Sequence, residues 1–226
     1  MKLYNSTEWL FFHLWKKNPD TQESCPQIRI PETVFYRWAQ PYFWYNTDKK
    51  DILNRLPRDR IQMDVVKQSF LSKTLPSGIT ALYINPQERK VKEEEYIQFE
   101  YMTKEDTDHV FYQREKTLNC IIQQIVPPIN DQNHLIQVKW CNRFTIVTRR
   151  VNINNINKKD NDIVSKMATF DGSFHLSITD PICSPFLEDL IDTTCANIAS
   201  HIQTVSGGNI RISRMTLYFR IDTDRK

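Results

Sequence analysis

The stretch FYRWAQPYFWY, from Phe35 to Tyr45, constrains the fold more than any other feature, because seven of its eleven residues are aromatic. The residues before it, QIRIPETV, alternate apolar and polar side chains around Pro31, which is typical of extended strands. Neighbouring side chains of a strand point to opposite faces, so the rings on both faces must be shielded from solvent. We expect the N-terminal segment, another part of the chain or a partner protein to provide it, since large exposed aromatic patches are unusual.

The aromatic stretch allows two roles, a core and a docking face. Trp38 alternates with Tyr36 and Val34, which predicts that Trp38 is the core ring. Pro41 interrupts the strand pattern, so we expect the rings after it to leave the strand and to bind a partner protein. These predicted partner-binding residues are Tyr42, Phe43, Trp44 and Tyr45.

Two long segments have the apolar spacing of helices. The first is Glu105 to Val126, with acidic residues at its start and two prolines after its end. The second is Ser184 to Val205, with Pro185 in the first turn and two glycines after the end. A shorter helix is predicted within MDVVKQSFLSKTL, whereas WLFFHLW near the N-terminus suits a buried strand or a short helix equally well.

Alternating segments predict several strands. GITALYINP and YIQFEYM are expected to form a hairpin, HLIQVKWCNRFTIVTRRV two paired strands or one bent strand, and NIRISRMTLYFRID a further strand. The polar segment from Asn152 to Asp162 allows an asparagine-rich surface insertion or an ordered polar loop, and its composition favours the insertion. We therefore predict an α+β fold, with a mixed, mostly antiparallel sheet packed by the two main helices. It forms one domain over residues 1–226, with a sub-boundary near residues 76–80, and we expect it to be part of a longer protein.

Composition and motifs argue against several classes of chemistry. Four glycines in 226 residues leave little material for phosphate-binding loops. The five histidines stand singly, no nucleophile motif occurs, and Glu93 to Glu95 resemble a solvated turn more than a cation site. The five cysteines are widely spaced, which predicts free thiols in a cytoplasmic protein. We therefore predict a non-enzymatic protein without cofactor or metal, and without membrane association because no apolar run is long enough to span a bilayer.

RNA binding is the alternative function. Strands that carry rings beside basic residues, as in VKWCNRF and FRIDTDRK, can stack bases. The 30 basic and 27 acidic residues give a net charge of only +3, and their signs are interspersed. We therefore expect protein partners first and consider a nucleic-acid partner less favoured by the sequence.

The C-terminal part, roughly residues 96–224, carries the segments FTIVTRRVN, ATFDG, a long helix and NIRISRMTLYFRIDTD in that order. This arrangement resembles a poorly characterised family of eukaryotic cilium- and flagellum-associated proteins. The resemblance implies a structural or assembly component of an axoneme or another microtubule organelle. It implies no catalytic residue, because the shared motifs are turns and strands.

Overall fold

In the computed structural model, which describes residues 3–91, 94–114, 116, 119–158 and 162–221, the chain forms two antiparallel sheets with helices. It divides into two compact units: unit 1 is Met1–Trp15 with Ile28–Ile125, and unit 2 is Lys16–Gln27 with Val126–Lys226. The predicted α+β class is confirmed. The units do not divide at residues 76–80, which lie inside unit 1, and the one-domain assignment stays a prediction.

Unit 1 is built on a six-stranded sheet in the order β3-β2-β1-β6-β4-β5. Its strands and helices are α1 (Leu3–Trp15), β1 (Thr33–Arg37), β2 (Gln40–Thr47), β3 (Leu53–Pro57), α2 (Met63–Leu71), β4 (Ile79–Val91), β5 (Glu94–Thr103), α3 (Asp106–Asp108) and β6 (Asn119–Gln124). Short helical turns add Arg58–Arg60 and the π-helical His109–Gln113. The ambiguous segment WLFFHLW lies in helix α1, and the predicted hairpin is the pair β4–β5.

The helix predicted from Glu105 to Val126 is wrong. Among the described residues of this segment, only Asp106 to Gln113 are helical, and strand β6 follows them. This strand lies between β1 and β4, and Cys120, Ile121 and Ile122 are buried in succession. A strand covered on both faces carries an unbroken apolar run, which sequence periodicity does not distinguish from a helix stripe.

Unit 2 is built on a four-stranded sheet in the order β10-β7-β8-β9. Its elements are β7 (Gln132–Cys141), β8 (Phe144–Asn155), α4 (Ile163–Met167), the 3₁₀ turn Phe174–Leu176, β9 (Ser177–Asp180), α5 (Pro185–Val205) and β10 (Arg214–Phe219). Strands β7 and β8 form the two-strand alternative predicted from sequence. Every strand pair in the described residues is antiparallel, so the sheets are not mixed.

Helix α5 confirms the predicted second helix, and its ends follow from local chemistry. The Ser184 hydroxyl accepts a hydrogen bond from the Leu187 backbone N–H at 3.3 Å, and Pro185 occupies the first turn. After the helix, Gly207 and Gly208 have φ angles of 65° and 80°, which glycine adopts without a steric cost. The buried face of the helix packs with the inner face of the sheet around Ile136, Val138, Trp140, Ile191 and Cys195.

The asparagine-rich segment differs from the predicted surface insertion. Residues Asn152 to Asn155 continue strand β8, and Asn152 is buried. The Asn152 amide donates hydrogen bonds to the backbone carbonyls of Ser165 and Ala168, both at 2.8 Å. Residues 159–161 of the segment lie outside the described residues. The amides of this strand end therefore have a structural role, because they satisfy carbonyls at the end of α4.

Candidate functional site

The aromatic stretch forms the hairpin β1–β2, whose two-residue turn is Trp38 and Ala39. Both turn residues have positive φ angles, 48° for Trp38 and 60° for Ala39. Turns of this kind favour Asn-Gly, because a bulky side chain at positive φ is strained. Trp38 is nevertheless 72% exposed. The prediction that Trp38 is the core ring is wrong, because the strand alternation ends at Arg37 and the turn leaves the indole in solvent.

The rings after Pro41 stay in strand β2, so the prediction that they leave the strand is also wrong. A register shift between Phe35 and Tyr36 accommodates Pro41 in the hairpin. Trp44 is only 8% exposed and Tyr45 is fully buried, while Tyr42 and Phe43 are half-buried. Of the four predicted partner-binding rings, Trp44 and Tyr45 therefore belong to the core.

One face of the hairpin contributes Trp44, with Val34 and Tyr36, to the main core of unit 1. The Trp44 indole N–H donates to Glu32 Oε2 at 2.7 Å, and the Ser69 hydroxyl donates to Glu32 Oε1 at 2.6 Å. Glu32 is buried, and these two donors stabilise its carboxylate. This face is a structural core.

The opposite face of the hairpin is covered by helix α1. The Phe11 ring of the helix lies 5.3 Å from Phe35 and 5.5 Å from Tyr45, with near-perpendicular ring planes. Phe35 and Tyr45 also contact each other at 5.6 Å. Burial among these rings raises the pKa of the Tyr45 phenol above its ordinary range. The N-terminal segment thus provides cover for the second set of rings, one of the three sources expected from the sequence.

The cover is incomplete, and a solvent-open cleft of about 410 Å³ remains in unit 1 beside α1. Residues from one helix and three strands line this α1 cleft, and they are Glu8, Trp9, Phe12, Arg37, Tyr42, Phe43 and Arg55. Four of the seven are aromatic and two are arginines. The cleft can therefore present both apolar walls and cationic groups to a ligand.

One arginine of the α1 cleft is neutralised within the protein. The Arg37 guanidinium donates to both oxygens of Glu8, from Nη2 at 2.5 Å and from Nε at 3.2 Å. The Glu8 side chain is almost fully buried, so the pair is protected from solvent on that side. Arg37 also lies over the Tyr42 ring, 4.4 Å from its centroid. This pair fixes the position of Tyr42 at the cleft wall.

The second arginine, Arg55 on β3, is surrounded by rings instead of carboxylates. Its guanidinium carbon lies 3.6 Å from the centroid of Phe43, 4.7 Å from Trp15 and 5.3 Å from Phe12. Its Nε–H is buried and donates no hydrogen bond in the part of the chain that the structure describes. The rings stabilise the cation by cation–π contacts, but they offer no acceptor for the buried Nε–H.

Sequence reasoning located two residues of the α1 cleft, Tyr42 and Phe43, and missed the rest. Arg37 was available as a basic residue inside the aromatic stretch. Arg55 carried no signal, because it stands in a charged segment that separates the hairpin from α2. The helix residues were missed because WLFFHLW did not specify its own secondary structure.

Three of the described histidines are buried, and they are His13, His134 and His201. His13 contacts the Trp9 carbonyl oxygen at 2.8 Å, and His201 the Lys16 carbonyl oxygen at 3.0 Å. Burial, with the nearby Arg220 charge, lowers the pKa of His134 to about 4. No cluster of metal-ligating side chains occurs among the described residues. The acidic run Glu93 to Glu95 lies outside the residues whose side chains are described.

Comparison with known proteins adds no family to this description. No protein-family model matches the chain, and no curated protein matches it significantly. The resemblance to cilium- and flagellum-associated proteins therefore stays a prediction. Within the described residues, no helix has the length and apolar character needed to cross a membrane.

Proposed function

We propose that the chain is a non-enzymatic protein–protein interaction module that docks through Trp38 and the adjoining α1 cleft. The observation that supports this most is the exposure of Trp38, a large ring in a strained turn. It directly follows Arg37, which lines the cleft together with Tyr42 and Phe43. Tryptophan, tyrosine and arginine are the residue types that most often dominate protein interfaces.

The strain at Trp38 favours a functional role over a structural one. A bulky residue at positive φ raises the energy of the folded state by about 1 to 3 kcal/mol. An exposed indole recovers little of this by packing, since 72% of its surface faces solvent. Asparagine or glycine would suit the turn better. A residue that breaks a local rule without a packing gain is typical of a binding site.

A structural role in a cilium, an axoneme or the cytoskeleton belongs to the same proposal. Its support is the sequence resemblance over residues 96–224, while the docking surface lies in residues 8–55. The proposal therefore assigns recognition to unit 1 and leaves the organelle to be tested in cells. Fluorescent tagging of the full chain in a ciliated cell, with and without cilium assembly, tests this part. Diffuse signal in both states contradicts it.

Cross-linking in a cell extract tests docking directly. Full chains of wild type, Trp38→Ala and the control Phe174→Ala are compared, since Phe174 is also a highly exposed ring and lies in unit 2. We expect Trp38→Ala to lose specific protein partners and Phe174→Ala to retain them. Each partner is then purified and its affinity for the three chains is measured. Equal affinities for folded wild type and Trp38→Ala contradict the proposal.

Single-stranded RNA binding by unit 2 is the second candidate. The face of its sheet opposite α5 carries the exposed side chains of Phe144, Ile146 and Tyr218. On the same face, strand alternation places Lys139 and Arg214, and no outward position of the described strands is acidic. Rings and cations on an open sheet are the elements with which proteins stack bases and attract phosphates.

A salt titration distinguishes this candidate from the first. Binding of a fluorescein-labelled single-stranded RNA is measured for wild type, Tyr218→Ala and the control Phe186→Ala, whose exposed ring lies on α5. Submicromolar binding at physiological salt that is lost in Tyr218→Ala supports RNA as ligand. Equal binding by all three chains, or binding confined to low salt, indicates nonspecific attraction and leaves protein docking as the function.

A further inference from the structure

We propose that the α1 cleft binds a carboxylate side chain of an acidic peptide segment in a partner protein, with Arg55 as the anion-binding residue. This inference rests on the proposed docking function and gives the chemistry of its partner. Two observations support it: the positive charge of Arg55 in the cleft and the aromatic walls that surround this charge.

Arg55 is a cation without an acidic partner. No ion pair or hydrogen bond connects its guanidinium to another residue in the described ranges, although Phe43, Phe12 and Trp15 lie against it. Tyr45 lies directly opposite on β2, and its buried hydroxyl also has no hydrogen-bond partner in the described structure. Arg55 is half-buried and its Nε is removed from water, and a charge in such a position is normally paired because an unpaired one is costly to desolvate. A ligand carboxylate would provide the acceptor that the fold itself does not.

The net charge of the cleft favours a single negative charge. Glu8 already neutralises Arg37 through two hydrogen bonds, so Arg55 contributes the remaining positive charge of the lining. One guanidinium matches one carboxylate in charge and in planar geometry. A phosphate group carries nearly two charges and usually binds to clusters of arginines, so a phosphorylated segment fits this lining less well.

The walls of the cleft determine which residues of the ligand peptide lie next to its carboxylate. Trp9, Phe12, Tyr42 and Phe43 surround the open volume of about 410 Å³. Such a volume can hold a few side chains but not a folded element, which favours an extended peptide over a globular surface. The ring faces favour apolar neighbours of the acidic residue. The expected ligand is therefore a peptide with Asp or Glu flanked by aliphatic or aromatic residues.

The test uses the full chain and a phage-displayed library of random twelve-residue peptides. Peptides enriched on wild type are synthesised, each also with its acidic residue changed to the amide. Their dissociation constants are measured by fluorescence polarisation for wild type, Arg55→Gln and Arg55→Lys. The matched control is Arg58→Gln, which removes the same charge from an exposed position three residues away.

We expect enriched peptides to contain an acidic residue beside apolar ones. Arg55→Gln should weaken their binding about tenfold or more, consistent with the strength of charge-assisted hydrogen bonds. Arg55→Lys should restore part of the affinity, and Arg58→Gln should leave it unchanged. The amide peptides should bind wild type as weakly as the acidic peptides bind Arg55→Gln.

Three results would overturn the inference, with two different consequences. Enriched peptides that lack acidic residues but lose affinity in Tyr42→Ala would refute the carboxylate while leaving docking at the cleft intact. Acidic peptides that bind wild type and Arg55→Gln equally, or no enrichment above the bare support, would refute peptide binding by Arg55. The extract experiment with Trp38→Ala still tests the proposed function separately in either case.

Discussion

Trp38 and Trp44 lie six residues apart in one hairpin, but we expect their replacement by alanine to have very different effects on stability. Trp44 is 8% exposed in the core of unit 1. A buried indole removes roughly 200 Å² from water, which corresponds to about 5 kcal/mol at about 25 cal/mol per Å². Because alanine keeps part of this area, we expect Trp44→Ala to lower the free energy of unfolding by about 3 to 5 kcal/mol.

The same arithmetic gives a small effect at Trp38. With 72% of its surface in solvent, less than a third of the side chain is buried, which corresponds to at most about 1.5 kcal/mol. A third variant, Trp44→Phe, separates packing from hydrogen bonding, because it keeps most of the ring but removes the donor to Glu32. We expect it to lower the free energy of unfolding by about 1 to 3 kcal/mol.

Urea unfolding followed by far-ultraviolet circular dichroism measures these differences. Two units need not unfold together, so the midpoint of each transition is compared between variants rather than a single extrapolated value. Equal midpoint shifts for Trp38→Ala and Trp44→Ala would show that Trp44 is not the more buried ring. A larger shift for Trp38→Ala would show that the indole of Trp38 is packed.

Three further predictions concern unit 2 and the thiols. The pKa of His134 in the folded state is about 4, below its ordinary value of 6.5, so the unfolded state binds more protons between these two pH values. The contribution of His134 to the free energy of unfolding is therefore fully present above about pH 6.5, and about 3 kcal/mol is lost as the pH drops towards 4. Unfolding of His134→Gln across the same pH range should lack this contribution, and parallel profiles for both chains would contradict the assignment. Ser184→Ala should lower the free energy of unfolding by about 1 kcal/mol in urea titrations, since it removes the acceptor for the Leu187 N–H. Ser184→Asp should retain the acceptor and the stability, and equal stability of all three chains would argue against the cap. All five cysteines are free, so the melting temperature should be the same with and without reducing agent, whereas a drop on reduction would reveal a disulfide.

The elements that were predicted correctly carry local signals. Helix α5 was located with both ends because Ser184, Pro185 and the two glycines act on their immediate backbone. The hairpin β4–β5 and the pair β7–β8 followed from alternation over neighbouring segments. The α+β class depends only on the presence of both kinds of pattern, so it too was accessible from the sequence.

The candidate site was only half predictable. The density of rings from Phe35 to Tyr45 pointed to the correct hairpin, and Tyr42 and Phe43 do line the α1 cleft. Which rings are buried was not predictable, since it depends on the two-residue turn at Trp38 and on the register shift that keeps Pro41 in β2. Arg55 joined the site through contacts with Phe12 and Trp15, which lie forty or more residues away in the chain.

The sequence by itself determined the class of fold, the ends of α5 and the need to cover aromatic side chains on two faces. Only the tertiary structure decided that β6 is a strand. Its apolar run is compatible both with the buried stripe of a helix and with a strand covered on both faces, and pairing with β1 and β4 selects the strand. The tertiary structure also decided that helix α1 lies on the hairpin and leaves a cleft lined by Arg55, which has no acidic partner among the described residues. The physical reason is that caps and alternation act between neighbours along the chain, whereas burial and charge pairing depend on residues that only folding brings together.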